Sequence, residues 1–450
     1  MPNISSLNTP LSAMRAQRQI LDVTARNIAN ATTPGYHRQR VELATPGTSG
    51  ISGSGGNAGV DVNRVSRSAD DLIIARASRE EAGRSAADST AATLARIESL
   101  FPEPTDHGLA AQLDDYWGSW SSVANDPGNQ TARSSLLSKA TTLVNSLRRG
   151  VEDLTAVSDA AKTRMTGIAT EVNDLTARIV TFNQTIAGQA DPSADLLDQR
   201  DQLVAKVTNL TGALTQVTST GEVNVFIGGR QVVAGGFAEQ LQAPTGTLQF
   251  ATDGQAVPMT SGEGASVAAT INDVVPRYLS ALDDIANTLV TSVNTMHAAG
   301  YGQDGVTGRN FFDPAGTTAA TIAISTDVAG QPSRLAAGAP KLPGPTAPGA
   351  LDGNQARLIA ALASSATGAS TKYQTMISGM AIESRSAQQR ADVQGTIADN
   401  AVKEADSVGS VSIDEEMTQM MEAQRAFQAA SRVLSTVDDM LSFLIERTGR

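Results

Sequence analysis

The sequence contains no cysteine among its 450 residues. Disulfide bonds are therefore excluded, and so are structural zinc sites that depend on thiolate ligands. The three histidines, His37, His107 and His297, lie far apart, and none is paired with a carboxylate at metal-ligand spacing. The chain also has no G-x-S-x-G, P-loop or H-E-x-x-H motif. These absences predict no catalytic, cofactor-binding or metal site, and so no enzyme.

Aromatic residues, long apolar runs and excess positive charge are also scarce. Aromatics make up 4% of the chain, which favours long helices with thin apolar seams over one massive core. No apolar run approaches the ~20 residues that a membrane-spanning helix needs. The net charge of −12, from 34 Lys and Arg against 46 Asp and Glu, argues against nucleic acid as a partner. The N-terminal residues lack the pattern of a cleaved signal peptide.

Both ends of the chain carry an apolar repeat. Such residues alternate at spacings of three and four near the N-terminus, and they recur every seven near the C-terminus. This repeat keeps one narrow apolar edge facing a partner helix. Either helix alone is more often ordinary core, but two at opposite ends favour pairing with each other or with neighbouring subunits. The N-terminal seam is Leu7, Leu11, Met14, Leu21 and Ile28, and the C-terminal seam is Ile413, Met420, Phe427, Leu434, Val437, Leu441 and Leu444.

Between these ends the local patterns change from helical to strand-like and back. Pro34 and Gly35 end the first helix, and short strands follow on either side of a Gly/Ser-rich loop, Gly47 to Gly59. Helices are predicted over about 70–210, strands over 211–270 with a turn at Gly228-Gly229, and helix again over 273–298. Loops and short strands are predicted over 313–352, and helix over 354–447 with a break near Gly409.

This order predicts a mainly α protein with a β-rich insertion, in a discontinuous and elongated multi-domain architecture. The terminal helices would pair as a coiled coil, followed by a central helical bundle and a small projecting β domain. The predicted coiled-coil domain is 1–65 with 405–450. The predicted bundle is 66–210, 271–300 and 352–404, and the predicted outer β-rich domain is 211–270 with 301–351.

Two acidic clusters are candidates for a binding role. Asp195, Asp198 and Asp201 recur every three residues and could hold a cation. Helix capping and a solvated face are favoured, because Arg200 lies among them and the segment follows a proline. The cluster Asp414 to Glu416 fits the first turn of a helix, where negative charge meets the helix dipole.

The residues around the first break resemble a known family. Asn27 to Gln39, with its Asn-x-x-Asn core and Thr-Pro-Gly-Tyr, resembles the N-terminal signature of the axial proteins of the bacterial flagellum. Arg38-Gln39 is most similar to the hook-associated protein 1 family, and Ser435 to Leu441 agrees. Gln424 to Ala430 resembles the C-terminal axial signature. Asp195 to Asp201 and Tyr301 to Phe312 resemble interior blocks of that family, whose members are often longer in the β region.

The resemblance implies a structural subunit at the hook–filament junction. Its terminal helices would pack in the inner tube of the flagellum, and the assembly interface would include both seams with Asn27, Asn30, Pro34, Gly35 and Tyr36. The implied partners are copies of itself in a ring, hook protein on one side, and the second junction protein and filament on the other. A flagellar export chaperone and the type III export apparatus would deliver the chain, unfolded, from the cytoplasm to the cell exterior. No membrane insertion and no cofactor is implied.

Three other functions remain open from the sequence. Another axial protein, such as a rod, hook or second junction protein, is disfavoured by the Arg38-Gln39 and Ser435 to Leu441 blocks. A flagellum-borne adhesin or enzyme would need a site in 211–350, where the sequence shows none. A cytoplasmic coiled-coil signalling protein is disfavoured by the Pro/Gly-rich insertion.

Overall fold

The computed structural model describes residues 5–45, 59–189, 191–340, 347, 349 and 351–448. It is an elongated, mainly helical structure with small antiparallel sheets, as predicted. No helix in these ranges is both long and apolar enough to span a bilayer. The predicted Gly47 to Gly59 loop lies outside the described residues, apart from Gly59. The helices are α1 (Ser5–Asn30), α2 (Asp71–Leu100), α3 (Leu109–Asn125), α4 (Gln130–Ala187), α5 (Ala194–Thr211), α6 (Gly262–Ala269), α7 (Val275–Ala299), α8 (Asn354–Ala360), α9 (Ala369–Gly409) and α10 (Ile413–Thr448).

Local capping signals set where the long helices begin. The side chain of Asp70 accepts hydrogen bonds from the backbone N–H groups of Leu72 and Ile73 at the start of α2. Asn129 does the same for the first turn of α4, a helix of 58 residues. These bonds satisfy amides that have no partner inside the helix. Short breaks that contain proline, 101–108 and 126–129, separate α2 from α3 and α3 from α4.

One apolar core joins α2, α3, α7, α8 and α9 to the first half of α4. Aromatic residues concentrate there, where Tyr116 and Trp120 lie edge-on with 6.5 Å between ring centroids. The ring of Phe311 packs 5.3 Å from that of Trp120.

The strands form three small antiparallel sheets. The largest of the three has four strands, and a second apolar core lies between this larger sheet, the second half of α4, and α5. Gly228 and Gly229 both have positive φ, of +58° and +81°, which confirms the predicted turn. The sheets are β1 (Gln39–Ala44) with β2 (Asp61–Arg67); β3 (Leu214–Val217), β4 (Val223–Ile227), β5 (Arg230–Ala234) and β6 (Phe237–Ala238) in that order; and β7 (Leu241–Gln242) with β8 (Gln249–Phe250).

Residues 301–338 pack differently from the prediction that grouped 301–351 with 211–270. Their apolar side chains belong to the helical core, and Phe311 and Phe312 are fully buried there. The Asn294 amide on α7 fixes them, since its Oδ1 accepts both backbone N–H groups at 2.9 Å. Only isolated bridges form within 301–338, so the grouping with the strands is wrong for these residues. The stretch 211–270 also ends in helix α6 instead of strand.

Candidate assembly site at the chain termini

The two ends of the chain meet along helices α1 and α10. Asn27 near the end of α1 binds Glu416 in the first turn of α10, so the helices run antiparallel away from that joint. Along α1 the deepest burial falls on Ala16, Val23, Thr24 and Asn27, each 2% exposed or less. The most buried stripe of α1 therefore lies beside the predicted N-terminal seam.

Most of the predicted seam residues are half-buried. Leu7, Met14, Leu21 and Ile28 are half-buried on α1, and Leu11 is exposed. On α10, Ile413 is exposed, and the side chain of Leu444 lies outside the described part. The half-buried members on α10 are Met420, Phe427, Leu434, Val437 and Leu441.

The other side of α10 is also apolar. Five large side chains there are half exposed or more, although a soluble helix normally presents polar residues to water. A helix that is apolar on both sides is typical of one that another chain covers. These residues are Met417, Met421, Val433, Met440 and Phe443.

Asn27 holds the turn after α1 in place. Its Nδ2 donates to the Gln39 carbonyl and to Glu416 Oε2, both at 2.9 Å. Its Oδ1 accepts the Gln39 N–H at 3.0 Å and the Tyr36 hydroxyl at 2.9 Å. Burial raises the pKa of Tyr36 to about 12, so the phenol stays protonated and keeps donating. A buried amide with all four bonds made fixes the chain's direction at this point.

The Thr-Pro-Gly-Tyr sequence forms the turn itself. Gly35 has a φ of +73°, a backbone conformation that favours glycine, and a Cβ there would meet the side chain of Gln202. Gln202 Nε2 donates to the Pro34 carbonyl at 3.1 Å. Asn30 Nδ2 donates to the Arg26 carbonyl and so supports the last turn of α1. Pro34 and Gly35 are exposed, so their part is to direct the chain.

Arg38 connects the same turn to α10. Its Nε donates to Glu416 Oε1 at 2.6 Å, and its Nη1 donates to Glu415 Oε2 at 2.8 Å. Glu416 is fully buried, and Asn27 satisfies its second oxygen. The acidic start of α10 was predicted from helix-dipole reasoning, but the partner of Glu416 was not.

The acidic residues of α5 face the same segment. Asp198 accepts from the His37 backbone N–H at 3.0 Å and lies 2.8 Å from His37 Nδ1. Gln39 Nε2 donates to Asp195 at 2.7 Å, and Arg67 Nη1 donates to Asp201 at 2.6 Å.

The predicted solvated face is therefore wrong for Asp198, whereas Asp195 is exposed in the first turn of α5. Ser193 caps α5, and Asp198 is 4% exposed. The spacing of three places the carboxylates on one helix face, and that spacing is the only signal that could have indicated a shared partner. No metal-binding cluster of His, Cys, Asp or Glu occurs in the part of the chain that the structure describes.

Comparisons with known proteins match both termini and the helical middle of the chain. Residues 94–312 match the family model described as the flagellar hook-associated protein FlgK helical domain. Residues 7–37 match the flagella basal body rod protein model, and residues 410–447 match the flagellar basal body rod FlgEFG protein C-terminal model. The flagellar hook-associated protein 1 of Bacillus subtilis is 26% identical, covering 98% of each chain. The chain belongs to the flagellar hook-associated protein 1 family.

The protein is therefore a structural component of the bacterial flagellum. The family member of Escherichia coli is also 26% identical, over 68% of this chain, which spans 60% of that protein's length. The solved structure of the flagellar hook junction protein FlgK from Burkholderia pseudomallei has a TM-score of 0.65 with 14% identity. The match covers 73% of this chain and 99% of the chain in that structure, and this likeness supports the fold alone.

Proposed function

We propose that this protein joins the hook to the filament, as one subunit of a ring of identical copies. Its terminal helices would pack against those of neighbouring copies in the inner tube. Hook protein would lie on one side, and the second junction protein and filament on the other. Support comes from the two terminal matches to rod-protein families and from relatives named for the hook.

The apolar outer side of α10 is the observation that carries this proposal. In the single chain α10 packs on α1, and five large apolar side chains remain exposed on its other side. Burying one such side chain contributes about 1.5–3 kcal/mol. Because each is already about half-buried, five together offset part of the entropic cost of association with a neighbouring copy.

We further propose that the chain is exported unfolded through the flagellar type III pathway, with a dedicated chaperone, and folds at the distal end. A chain without cysteine has no disulfide to form before or during that passage. The outer half of each terminal helix, distant from the Asn27–Glu416 joint, would complete its packing only when neighbouring copies are present.

Leu434→Asp tests the assembly role. Placing a charge at this half-buried contact should cost about 3–5 kcal/mol locally, because the carboxylate has no partner there. Secretion should continue while filament attachment is lost, measured by immunoblot of the medium and by counting filaments. Ser138→Asp, at an exposed position of α4, is the control and should assemble normally.

Full filaments on cells with Leu434→Asp would refute the proposal. Immunogold labelling decides between this location and the alternatives. Gold at the hook–filament boundary supports the junction, whereas gold along the rod or along the hook identifies another axial role. Gold spread over the filament would favour a surface adhesin or enzyme.

A further inference from the structure

The segment after α1 contacts four other elements within a few residues. The Arg38 backbone N–H donates to the Gly409 carbonyl at the end of α9, at 2.8 Å. The Arg38 carbonyl accepts from Ser68 N–H, which follows β2, at 2.7 Å. The Arg38 side chain reaches α10, and the adjacent His37 reaches α5. This short segment is therefore the point where the terminal helix pair meets the rest of the chain.

The geometry points to a latch, formed by residues 34–39 together with Asp195, Asp198, Asp201 and Gln202 of α5, that fixes the direction of the α1–α10 pair. Asp198 and His37 are positioning residues in it. The inference rests on the proposed function only in treating the helix pair as the assembly element. A subunit whose helix pair points one way presents a defined face to each neighbour.

The seam alone cannot supply this direction. The free energy of apolar packing is roughly proportional to the apolar area buried, and it has little directional preference. The helix pair packs on itself and on the β1–β2 hairpin, so apolar contact leaves its angle to α5 poorly determined. Hydrogen bonds to carboxylates are short and angle-dependent, so they can determine it.

The latch holds both sides of the joint at once. Asp198 binds His37 and Arg67, and so connects the turn and strand β2 to α5. Arg38 and Asn27 bind Glu416, and so connect the same turn to α10. Asp198 itself has no hydrogen bond to α1 or α10 among the described contacts. A change at Asp198 can therefore alter the direction of the helix pair only through the turn or through strand β2.

Spin-label distances in the full-length chain test this directly. Lys206→Cys on α5 and Gln424→Cys, in the half of α10 next to the Asn27–Glu416 joint, place two labels at exposed positions, and no native cysteine competes. The otherwise unchanged chain should give one narrow distance distribution. Asp198→Ala should lose that single peak and give a broad distribution, while the helical circular dichroism signal is retained.

Matched variants separate positioning from general destabilisation. Asp198→Glu keeps the carboxylate and should recover part of the narrow peak. Asp174→Ala, an exposed carboxylate on α4, should leave the distribution unchanged. A narrow peak that survives Asp198→Ala overturns the latch, and so does a broad distribution in the unchanged chain. Because these distances are read in the isolated protein, their outcome is independent of where the protein lies in the flagellum.

Discussion

Arg38 and Glu416 are 378 positions apart in the sequence, and their side chains form a buried ion pair with 2.6 Å between Nε and Oε1. Asn27 binds the other carboxylate oxygen of Glu416, at 2.9 Å. A buried carboxylate is tolerated when each oxygen has a partner, and here both partners come from the opposite end of the chain. The pair therefore sets the register between the first and last helices.

Removing Glu416 should open the joint between these helices. Glu416→Ala leaves Arg38 with only Glu415 and leaves one N–H of Asn27 unpaired, at a cost of about 3 kcal/mol in local stability. Amide hydrogen exchange over 413–423 measures that loss. Glu415→Ala is the control, since its side chain is 63% exposed and such pairs contribute about 0–1 kcal/mol. Equal effects from the two variants would contradict the assigned role of Glu416.

Two glycines of α9 should respond to alanine in opposite directions. A Cβ on Gly409 would lie 2.7 Å from Cδ2 of His37, whose ring Asp198 holds in place. Gly409→Ala should therefore lower the free energy of unfolding at the joint. A Cβ on Gly395 meets nothing within 4 Å, so Gly395→Ala should gain about 0.5–1 kcal/mol from helix propensity.

Hydrogen exchange at the α9–α10 junction and thermal melts of both variants decide this prediction. A stabilising Gly409→Ala would show that the His37 ring can move aside. That result would also weaken the case for a rigid turn.

The sequence predicted elements whose signals are local. Asp70 and Asn129 cap α2 and α4 within three residues of the bonds they accept, and Gly228 and Gly229 form their own turn. Such signals can be interpreted from the sequence because the capping or turn residue lies in the same short stretch as the backbone that it determines.

Partners distant in sequence could not be predicted in this way. Asp195 binds Gln39 across 156 positions, and nothing near Asp195 indicates that contact. Residues 301–338 are rich in turns, and composition does not say which surface Phe311 and Phe312 cover. The heptad pattern also could not decide which stripe of α1 is the most buried, because Ala16 and Val23 lie beside the larger residues Met14 and Leu21.

Asn183 on α4 should be a strong attachment point for the larger sheet. Its Oδ1 accepts from the Val223 N–H at 2.9 Å, and its Nδ2 donates to the Val223 carbonyl at 2.8 Å. Asn183→Ala leaves both buried backbone groups unpaired, which should cost about 2–4 kcal/mol.

Urea denaturation would measure this loss, with exchange at β4 amides showing where it occurs. Asp174→Ala on the exposed side of the same helix should change the free energy of unfolding by less than about 0.5 kcal/mol. A comparable loss from both variants would mean that the effect belongs to α4 in general and not to its contact with β4.

His297 should make the helical core sensitive to acid. Its Nε2 accepts the Ala336 N–H at 2.9 Å, so the proton is on Nδ1, which donates to the Arg309 carbonyl at 2.8 Å. Burial lowers the pKa of His297 to about 4 from 6.5, because a charged imidazole would lose solvation there. Between those two pH values the unfolded chain binds more protons than the folded one, so stability falls as pH decreases. The loss in this window should approach about 3 kcal/mol at pH 4.

Urea denaturation at pH 7, 6, 5 and 4 isolates this effect when the same series is run on variants. His297→Gln does not titrate, so its free energy of unfolding should decline less steeply over the window, although its stability at pH 7 is lower. His107→Gln, at an exposed position, should keep the slope of the unchanged chain. If His297→Gln showed the same slope, protonation of His297 would not be the source of the acid sensitivity.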